Sequence, residues 1–414
     1  MMSLLSRFRT DRSGNVAMMF GFAAVPLIGL AGIVVDYGRA TSVRTTLNAA
    51  VDSAALMVAR EASRLTDSQL KTRAEALIRA NLAGGSTATL DGYTVTIDRT
   101  ARTVNVSANS TVETSVARVI GFDSIPVAST AQAAWGTNTI ELALVLDNTG
   151  SMASSNKMTE LKKASLDLLK IMKDASTATD QIRISIVPFA TQVRLPTSYK
   201  DAPWLRYDQT RTTGSGGNRK IETISKATWQ GCISDRDKPY DVSDASAVAG
   251  ATATLYPADF CAQSTLTPIR PLTSDWTALE STVNAMTPVG NTNVTIGAAW
   301  GMASLSQGAP LPEAAAATTP RLTKYMILLT DGDNTQNRFG DGQTTMDQRT
   351  AAACASAKTA GIKIYSIRVI NGNSSLLRGC ASETSMFYEV SNASQLGPIF
   401  QQIAREISQI RLTM

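Results

Sequence analysis

The sequence predicts an α/β fold: a doubly wound, mostly parallel sheet with a large insertion, preceded by a transmembrane helix, a long helix and a small α+β unit. From residue 137 onwards, apolar runs of strand length alternate with segments of helical periodicity, a pattern typical of strands buried on both faces between helices. An uncharged run of 20 residues near the amino terminus has the length of a membrane-spanning helix. Between these parts, apolar residues recur first every three or four positions and then every second position, which indicates a helix followed by strands.

These patterns divide the chain of 414 residues into four segments. The first two are a cytoplasmic tail with the transmembrane helix at 1–36 and a helical stalk at 37–84. A small β-rich unit at 85–136 follows, and the α/β domain occupies 137–414, with its insertion at about 195–274. A chain of this length can bury one ample core in its largest domain.

The composition narrows the classes of function. The chain contains no histidine, which excludes His-based nucleophile triads, His general bases and His metal ligands. Its formal net charge of +5 is modest for this length and is not gathered into a basic stripe. Binding of nucleic acid is therefore not expected.

The transmembrane helix is predicted over Val16–Val35, because about 20 apolar residues are needed to cross a bilayer core. Arg7, Arg9 and Arg12 precede this run, and positive residues beside a membrane helix tend to stay in the cytoplasm. We therefore expect the rest of the chain to lie outside the cytoplasm. The alternative is a cleaved signal peptide, but the apolar run is longer than a usual signal core and Val34–Tyr37 offers no small-x-small cleavage site.

Beyond this anchor, one amphipathic helix is predicted by apolar residues at three- and four-residue spacing. The apolar stripe runs from Leu47 to Val58 and again from Leu70 to Ile78, and Gly84-Gly85-Ser86 should end the helix. Two alternating runs between residues 93 and 109 predict a β-hairpin. Two further segments, Val112–Val119 and Ile125–Ala134, are expected to complete the small α+β unit.

The α/β domain is predicted from strands and helices that alternate along the chain. The predicted strands are 140–147, 181–189, 325–330 and 362–370. The predicted helices are 157–173, 275–286, 294–305, 346–360 and 393–410. The insertion is rich in Pro, Gly, Ser and Thr. Because a structureless loop of that length is unusual inside a compact domain, we expect an inserted subdomain.

The four cysteines all lie in the second half of the chain. Their spacings match no zinc pattern, and without histidine a mixed Cys/His site is impossible. Two disulfides, formed in an oxidising compartment, are the interpretation that we favour. Cys232 with Cys261 would staple the insertion, and Cys354 with Cys380 would form a second local pair, although sequence alone leaves three pairings open.

Oxygen-bearing side chains follow the predicted strands on three loops. Asp147, Thr149 and Ser151 leave the first strand at alternate positions, Thr292 lies in a Gly-Asn-Thr-Asn loop, and Asp331 follows the strand that ends at residue 330. Ligands of open α/β sheets bind at the carboxyl ends of the strands, so these side chains should converge. Carboxylates and hydroxyls suit a hard divalent cation, Mg²⁺ with Mn²⁺ or Ca²⁺ as alternatives.

A second interpretation is that these residues only cap helices and turns, as Ser, Thr and Asp often do. Asp333 and Asn334, just beyond Asp331, are expected to be turn residues of that kind.

The three loops, in this order, resemble the von Willebrand factor A domain and its metal-ion-dependent adhesion site. The usual triplet of that family is Asp-x-Ser-x-Ser, and Thr149 keeps the hydroxyl while adding a methyl group. The resemblance implies that Thr149 and Ser151 bind the cation directly. It implies that Thr292, Asp147 and Asp331 bind it directly or through water. An open coordination position would then take a carboxylate from a partner.

The amino-terminal region resembles the TadE/TadG-like segment of tight-adherence (Flp) pilus-assembly proteins, and TadG-like members can carry a von Willebrand A domain behind the anchor. The resemblance rests on Arg12-Ser13-Gly14-Asn15-Val16, on Asp36-Tyr37-Gly38-Arg39-Ala40 and on Leu47–Leu56. It implies an inner-membrane protein that crosses the membrane once, with its amino terminus cytoplasmic and its bulk in the periplasm. Its partners would be other pilus-assembly or envelope proteins that present an acidic side chain.

Related minor pilins are cut after a glycine and need a glutamate five residues further on. Here Gly14 is followed by Asn15, and Met19 fills the position of the glutamate. We therefore expect an intact anchor.

The function expected from these features is that of a non-enzymatic, membrane-anchored pilus-assembly or adhesion protein that binds a partner through a divalent metal. One alternative is a structural scaffold of the secretion or pilus machinery without a working metal site. Another is a hydrolase that uses the metal to activate water. For that class the sequence supplies no histidine base, and Asp147 and Asp331 are committed to the ion.

Overall fold

The computed structural model describes residues 14–62, 64–83, 89–99, 101–135, 138–215 and 219–409. The arginines that precede the span, Gly84-Gly85-Ser86 and Ile410 lie outside the described residues. The chain divides into two compact units, Met1–Gly136 and Thr137–Met414, and each is described by itself.

The first unit begins with helix α1, Gly14–Glu61, and continues with helix α2, Asp67–Ala83. Within the described residues, α1 is long and apolar enough to cross a membrane by its length and composition. The single helix expected through Ile78 is thus two helices. The break is explained by a capping box, in which Thr66 and Gln69 each accept a hydrogen bond from the other's backbone N–H (3.1 and 3.4 Å) and so start α2.

An antiparallel sheet completes this unit. Its strands lie in the order β1 (Thr89–Asp98), β2 (Thr103–Glu113) and β3 (Ser124–Ala134), with a short 3-10 helix, Ala117–Ile120, between the last two. Alternate residues of the strands face the helices, as the period-two pattern requires. The buried core is formed by Leu47, Val51, Leu70, Val104 and Val106, among others.

The second unit is built on a sheet of eight strands. Five of them run parallel in the order β5-β4-β13-β14-β15, where β4 is Thr139–Asp147, β5 is Ile182–Phe189, β13 is Leu322–Thr330, β14 is Ile362–Val369 and β15 is Phe387–Val390. The other three extend the sheet beyond β5 through antiparallel pairs: β6 (Val193–Arg194) and β12 (Arg270–Thr273) pair with β5, and β10 (Cys232–Ile233) pairs with β6. The predicted α/β fold with a mostly parallel sheet is confirmed.

Helices cover both faces of this sheet. One face packs against α3 (Lys157–Ala175), α4 (Trp276–Ala285) and α8 (Leu396–Gln409). The other packs against α5 (Val294–Leu305), α6 (Gln343–Thr359) and α7 (Ser374–Cys380). The central strands are therefore buried on both sides, which explains why they are almost continuously apolar.

The insertion extends this sheet instead of folding apart from it. Its strands β10 and β12 pair with β6 and β5, and the rest of its described residues contain the short strands β7 (Leu205–Arg206), β8 (Thr210–Thr213), β9 (Lys220–Thr223) and β11 (Tyr256–Pro257). Trp204 and Trp229 are buried in the same hydrophobic cluster as Val145 of β4 and Phe189 of β5. The insertion and the sheet thus share one core, where the sequence had suggested a subdomain.

Both predicted disulfides are present. One joins Cys232 of β10 to Cys261 within the insertion, and the other joins Cys354 of α6 to Cys380 at the end of α7. They use all four cysteines of the chain.

Candidate metal centre

The first loop of the candidate site begins where the buried strand β4 ends. Asp147, the last residue of the strand, is buried, and one of its carboxylate oxygens accepts a hydrogen bond from the backbone N–H of Thr149 (2.8 Å). The backbone N–H of Gly150 donates to the carbonyl oxygen of Gly290 (2.9 Å). This bond joins the first loop to the second.

The second loop leads into helix α5. Gly290 has a φ of +72°, a conformation that favours glycine. Thr292 is buried, and its backbone N–H donates to the hydroxyl of Thr335 on the third loop (2.8 Å). Asn293 caps α5, because its side-chain oxygen accepts from the backbone N–H of Ile296 (3.3 Å).

The third loop begins at the end of β13, directly beside β4 in the parallel sheet. The hydroxyl of Thr330 donates to the second carboxylate oxygen of Asp147 (2.7 Å), and the backbone N–H of Asp331 lies 3.4 Å from the same oxygen. Asp147 is therefore fixed by the first loop on one side and by the third on the other.

The side chains of these loops converge. The hydroxyls of Thr149 and Ser151 lie 2.8 Å apart, and the Ser151 hydroxyl donates to a carboxylate oxygen of Asp331 (2.5 Å). A Cβ added to Gly332 would lie 3.6 Å from the Thr292 hydroxyl and 3.7 Å from the Ser151 hydroxyl, so both hydroxyls lie within 4 Å of one position beside Gly332. Asp147, Thr149, Ser151, Thr292 and Asp331 are thus brought together, although Asp331 and Ser151 are far apart in sequence.

Solvent reaches this cluster at Ser151. Four of its side chains are buried, whereas Ser151 is exposed. A ligand that approaches the cluster would meet the Ser151 side first.

Sequence reasoning missed Lys157, the first residue of α3. Its ammonium donates a hydrogen bond to the second carboxylate oxygen of Asp331, and both side chains are buried. A signal for this residue existed, because a cation in the first turn of a helix opposes the helix dipole and needs a local reason. Here the reason is the carboxylate of Asp331.

The electrostatics of the site are set by two carboxylates and one ammonium. Burial, and then the negative charge of Asp331, raise the pKa of Asp147 to about 6, against hydrogen bonds from Thr149 and Thr330 that lower it. Two carboxylates and the single ammonium of Lys157 leave a net negative charge in a buried position. The donor set is two carboxylates and three hydroxyls, which suits a hard divalent ion. In the described part of the chain, no three Asp, Glu, His or Cys residues form a metal-binding group, so a cation held here would need the hydroxyls as ligands.

The insertion braces the second and third loops through Asp235. This buried carboxylate accepts two hydrogen bonds from the side-chain amide of Asn293 (3.0 and 3.1 Å). The backbone N–H of Arg338 donates to it as well (3.2 Å), and the Arg338 guanidinium donates to the Asp235 carbonyl (2.8 Å). Burial raises the pKa of Asp235.

Asn334 has a larger role than that of a turn residue. Its side-chain oxygen accepts from the backbone N–H of Val294 at the start of α5 (2.8 Å), and its amide donates to Asp347 (2.8 Å). Asn334 is buried, whereas Asp333 beside it is exposed. Only Asp333 therefore fits the expectation of a simple turn residue.

Comparison with known families gives two matches. The Flp pilus-assembly TadE/G-like model matches residues 14–61. The von Willebrand factor type A model matches residues 263–402, a range that includes Thr292 and Asp331, whereas the triplet from Asp147 to Ser151 precedes it. The resemblances of the amino-terminal region to the TadE/TadG-like segment and of the α/β domain to the von Willebrand factor A domain are confirmed. No curated protein matches the chain.

Several solved structures are similar to the chain at low sequence identity. The pilus adhesin SpaC from Lactobacillus rhamnosus GG is 12% identical with a TM-score of 0.39, over 79% of this chain and 35% of that one. The vWF domain of the type V pili tip protein Mfa5 from Porphyromonas gingivalis is 11% identical with a TM-score of 0.40, over 67% and 98%. Proximal thread matrix protein 1 from the mussel byssus, with a zinc-occupied MIDAS motif, is 11% identical with a TM-score of 0.37, over 66% and 48%. The chain spans about a third of the length of the SpaC adhesin.

Proposed function

Because this chain carries a Flp pilus-assembly TadE/G-like segment and a von Willebrand factor type A domain, we propose that it is a membrane-anchored pilus-assembly or adhesion protein whose binding domain faces the periplasm. The long apolar helix α1 supports the anchor by its length and composition. The arginines before the uncharged run support a cytoplasmic amino terminus. The two disulfides suit an oxidising compartment such as the periplasm.

The binding site of this proposal is the cluster at the carboxyl edge of the sheet. Asp147, Thr149, Ser151, Thr292 and Asp331 would hold a divalent cation, with Mg²⁺ as the first choice for an all-oxygen donor set. The observation that carries the proposal is the hydrogen bond from Ser151 to Asp331 (2.5 Å), which brings the first and third loops to one point. When bound, the ion supplies local positive charge that can accept a carboxylate from a partner.

We propose binding and not catalysis for this site. Both carboxylates are already engaged: Asp147 by Thr149 and Thr330, and Asp331 by Ser151 and Lys157. Neither is free to act as a general base on a water, and the chain has no histidine to do so.

The experiment that tests the function is a pull-down of envelope proteins by the full chain in lipid nanodiscs, with MgCl₂ and with a chelator. We expect a partner that is retained with Mg²⁺, lost with chelator and not retained by the Asp147→Asn variant. Parallel runs with Mn²⁺, Ca²⁺ and Zn²⁺ identify the preferred ion. A partner retained equally by wild type and variant, with or without metal, would refute a metal-dependent binding role.

The second candidate is a scaffold that has no working metal site. Lys157 favours it, because the ammonium already supplies a cation to Asp331. Thermal unfolding distinguishes the two, since an ion that binds only the folded state stabilises it by linkage. A melting temperature that does not change with Mg²⁺ would favour the scaffold.

A further inference from the structure

The turn between β2 and β3 exposes apolar side chains that the candidate metal site does not use. Val119 is 85% exposed and Phe122 is 65% exposed, on a turn of only a few residues. The neighbouring charged residues, Arg118 and Asp123, are exposed as well and pair with each other at 3.3 Å. An exposed apolar tip rimmed by charged residues is the type of surface that marks a contact site.

The turn is held in one shape by its own hydrogen bonds. The backbone N–H of Phe122 donates to the carbonyl of Ala117, and that of Gly121 to the carbonyl of Arg118, both at 3.1 Å. Gly121 has a φ of +94°, which a residue with a side chain rarely adopts. At the base of the turn, the backbone N–H of Thr114 donates to the carbonyl of Asp123 (3.0 Å). The exposed tip is thus presented by a closed, braced turn.

Helix α1 fixes this turn through Asp36. The buried carboxylate of Asp36 accepts hydrogen bonds from the backbone N–H groups of Ser115, Val116 and Ala117, each at 2.9 Å. Arg39, one turn further along α1, donates to the hydroxyl of Ser115 (2.5 Å). Asp36 is the first charged residue after the uncharged run that ends at Val35. The turn is therefore attached at the very end of the apolar span.

The turn also reaches alongside the span itself. A Cβ on Gly32 would collide with the side chain of Val116, so the turn and helix α1 approach closely there. Gly32 lies four residues before Asp36, which is about 6 Å nearer the middle of the helix at 1.5 Å per residue. Val34 and Val35 of α1 are exposed at the same level, and Tyr37 is an exposed aromatic residue of the kind found at membrane interfaces.

We propose that the turn Ser115–Phe122 is a second membrane contact, in which Val119 and Phe122 insert among the lipid chains of the periplasmic leaflet beside α1. The inference rests on the proposed membrane anchoring. Its occupant is lipid because Val116, in the same turn, lies against Gly32 within the apolar span. The consequence is that the small unit sits on the membrane surface in a fixed orientation, held by α1 at one point and by the turn at another.

The test uses the full chain in proteoliposomes, with single cysteines labelled by an environment-sensitive fluorophore. All four native cysteines are in disulfides, so unreduced protein is labelled only at the introduced site. The variants are Val119→Cys and Phe122→Cys on the turn, Val35→Cys on the span, and Asn105→Cys as an exposed control on β2. Each probe is quenched separately by doxyl-labelled lipid and by aqueous iodide.

We expect blue-shifted emission and strong quenching by doxyl lipid at residues 119, 122 and 35, and strong quenching by iodide at residue 105. If the probe at residue 35 is quenched by doxyl lipid while the probes at residues 119 and 122 are quenched by iodide, as at residue 105, the membrane contact of the turn is refuted and the anchor stands. If residue 35 is also in water, anchoring and turn contact fail together. If oxidation links two copies through Val119→Cys and doxyl lipid does not quench the probe there, a second copy covers the turn and the inference is wrong.

Discussion

The ammonium of Lys157 and the carboxylate of Asp331 form an ion pair in which the two side chains are 4% and 0% exposed. A divalent cation held by Asp331 would share that carboxylate with the ammonium. The site therefore contains an internal positive charge that stabilises the loops by itself and opposes a second positive charge. Changing this pair can therefore distinguish the two candidate functions, metal-dependent binding and a scaffold without a working metal site.

Replacing Lys157 by methionine should lower stability without metal and raise the affinity for metal. The change leaves a buried carboxylate unpaired, and breaking a buried pair costs about 3–5 kcal/mol. The same change removes a repulsive charge from the site, so Mg²⁺ should stabilise the variant more than the wild type. Thermal unfolding with and without Mg²⁺ measures both effects. Lys163→Met, at an exposed position on the same helix, is the control; an equal Mg²⁺ response in all three proteins would contradict this role of Lys157.

The hydroxyl groups proposed as metal ligands can be removed one at a time. Ser151→Ala and Thr292→Val each delete one proposed oxygen ligand, and we expect each to weaken Mg²⁺ binding about tenfold, equivalent to about 1.4 kcal/mol. Thr159→Ala, which removes an exposed hydroxyl from α3, should leave binding unchanged. Titration calorimetry on the three variants gives the affinities. If the Thr159 variant loses as much as the other two, the hydroxyls are not ligands.

The buried carboxylate that braces the loops should produce a pH dependence. Burial raises the pKa of Asp235 in the folded protein, so the folded state holds its proton more tightly than the unfolded chain does. Stability contributed by this group is therefore greatest at low pH and falls as pH rises from about 3.9, the ordinary aspartate value, through the raised pKa.

Asp235→Asn removes that titration while keeping the shape of the side chain. As pH rises across this window, we expect the free energy of unfolding of the wild type to fall relative to that of Asp235→Asn. Chemical denaturation at several pH values measures it. A difference that is constant with pH would show that Asp235 does not titrate there.

The proposed orientation of the chain in the membrane predicts on which side of it the carboxyl terminus lies. A reporter fused after Met414 should be active in the periplasm, because positive residues before the span stay in the cytoplasm. In the cells that express this fusion, thiol labelling of the unreduced protein should find no free cysteine. A reporter active only in the cytoplasm, together with four reactive thiols, would reverse the assigned orientation.

Residues with a local signature were readable from the sequence. Asp147, Thr149, Ser151 and Asp331 follow buried strands, and parallel strands end at one edge, so their convergence could be predicted from pattern alone. The capping box at Thr66 was equally local, and recognising it would have divided the stalk into α1 and α2.

Residues that act through distant partners could not be recognised in this way. Asp235 and Arg338 are about a hundred positions apart, and nothing in either segment shows that they meet. Asn334 resembles an ordinary turn residue until its bond to the start of α5 is seen. The insertion was expected to be a subdomain because a structureless loop of its length is unusual inside a compact domain, yet Trp204 and Trp229 pack into the core of the sheet. Side-chain contacts of this range depend on the tertiary fold.

The central claim is that the three loops hold one divalent cation, and calorimetric titration of MgCl₂ into the full chain in nanodiscs tests it most directly. We predict saturable binding at one site per chain for the wild type. Asp147→Asn, which keeps the size and shape of the side chain but loses the charge, should give no binding and an unchanged circular dichroism spectrum. Absence of binding to the wild type, or equal binding to both proteins, would contradict the account.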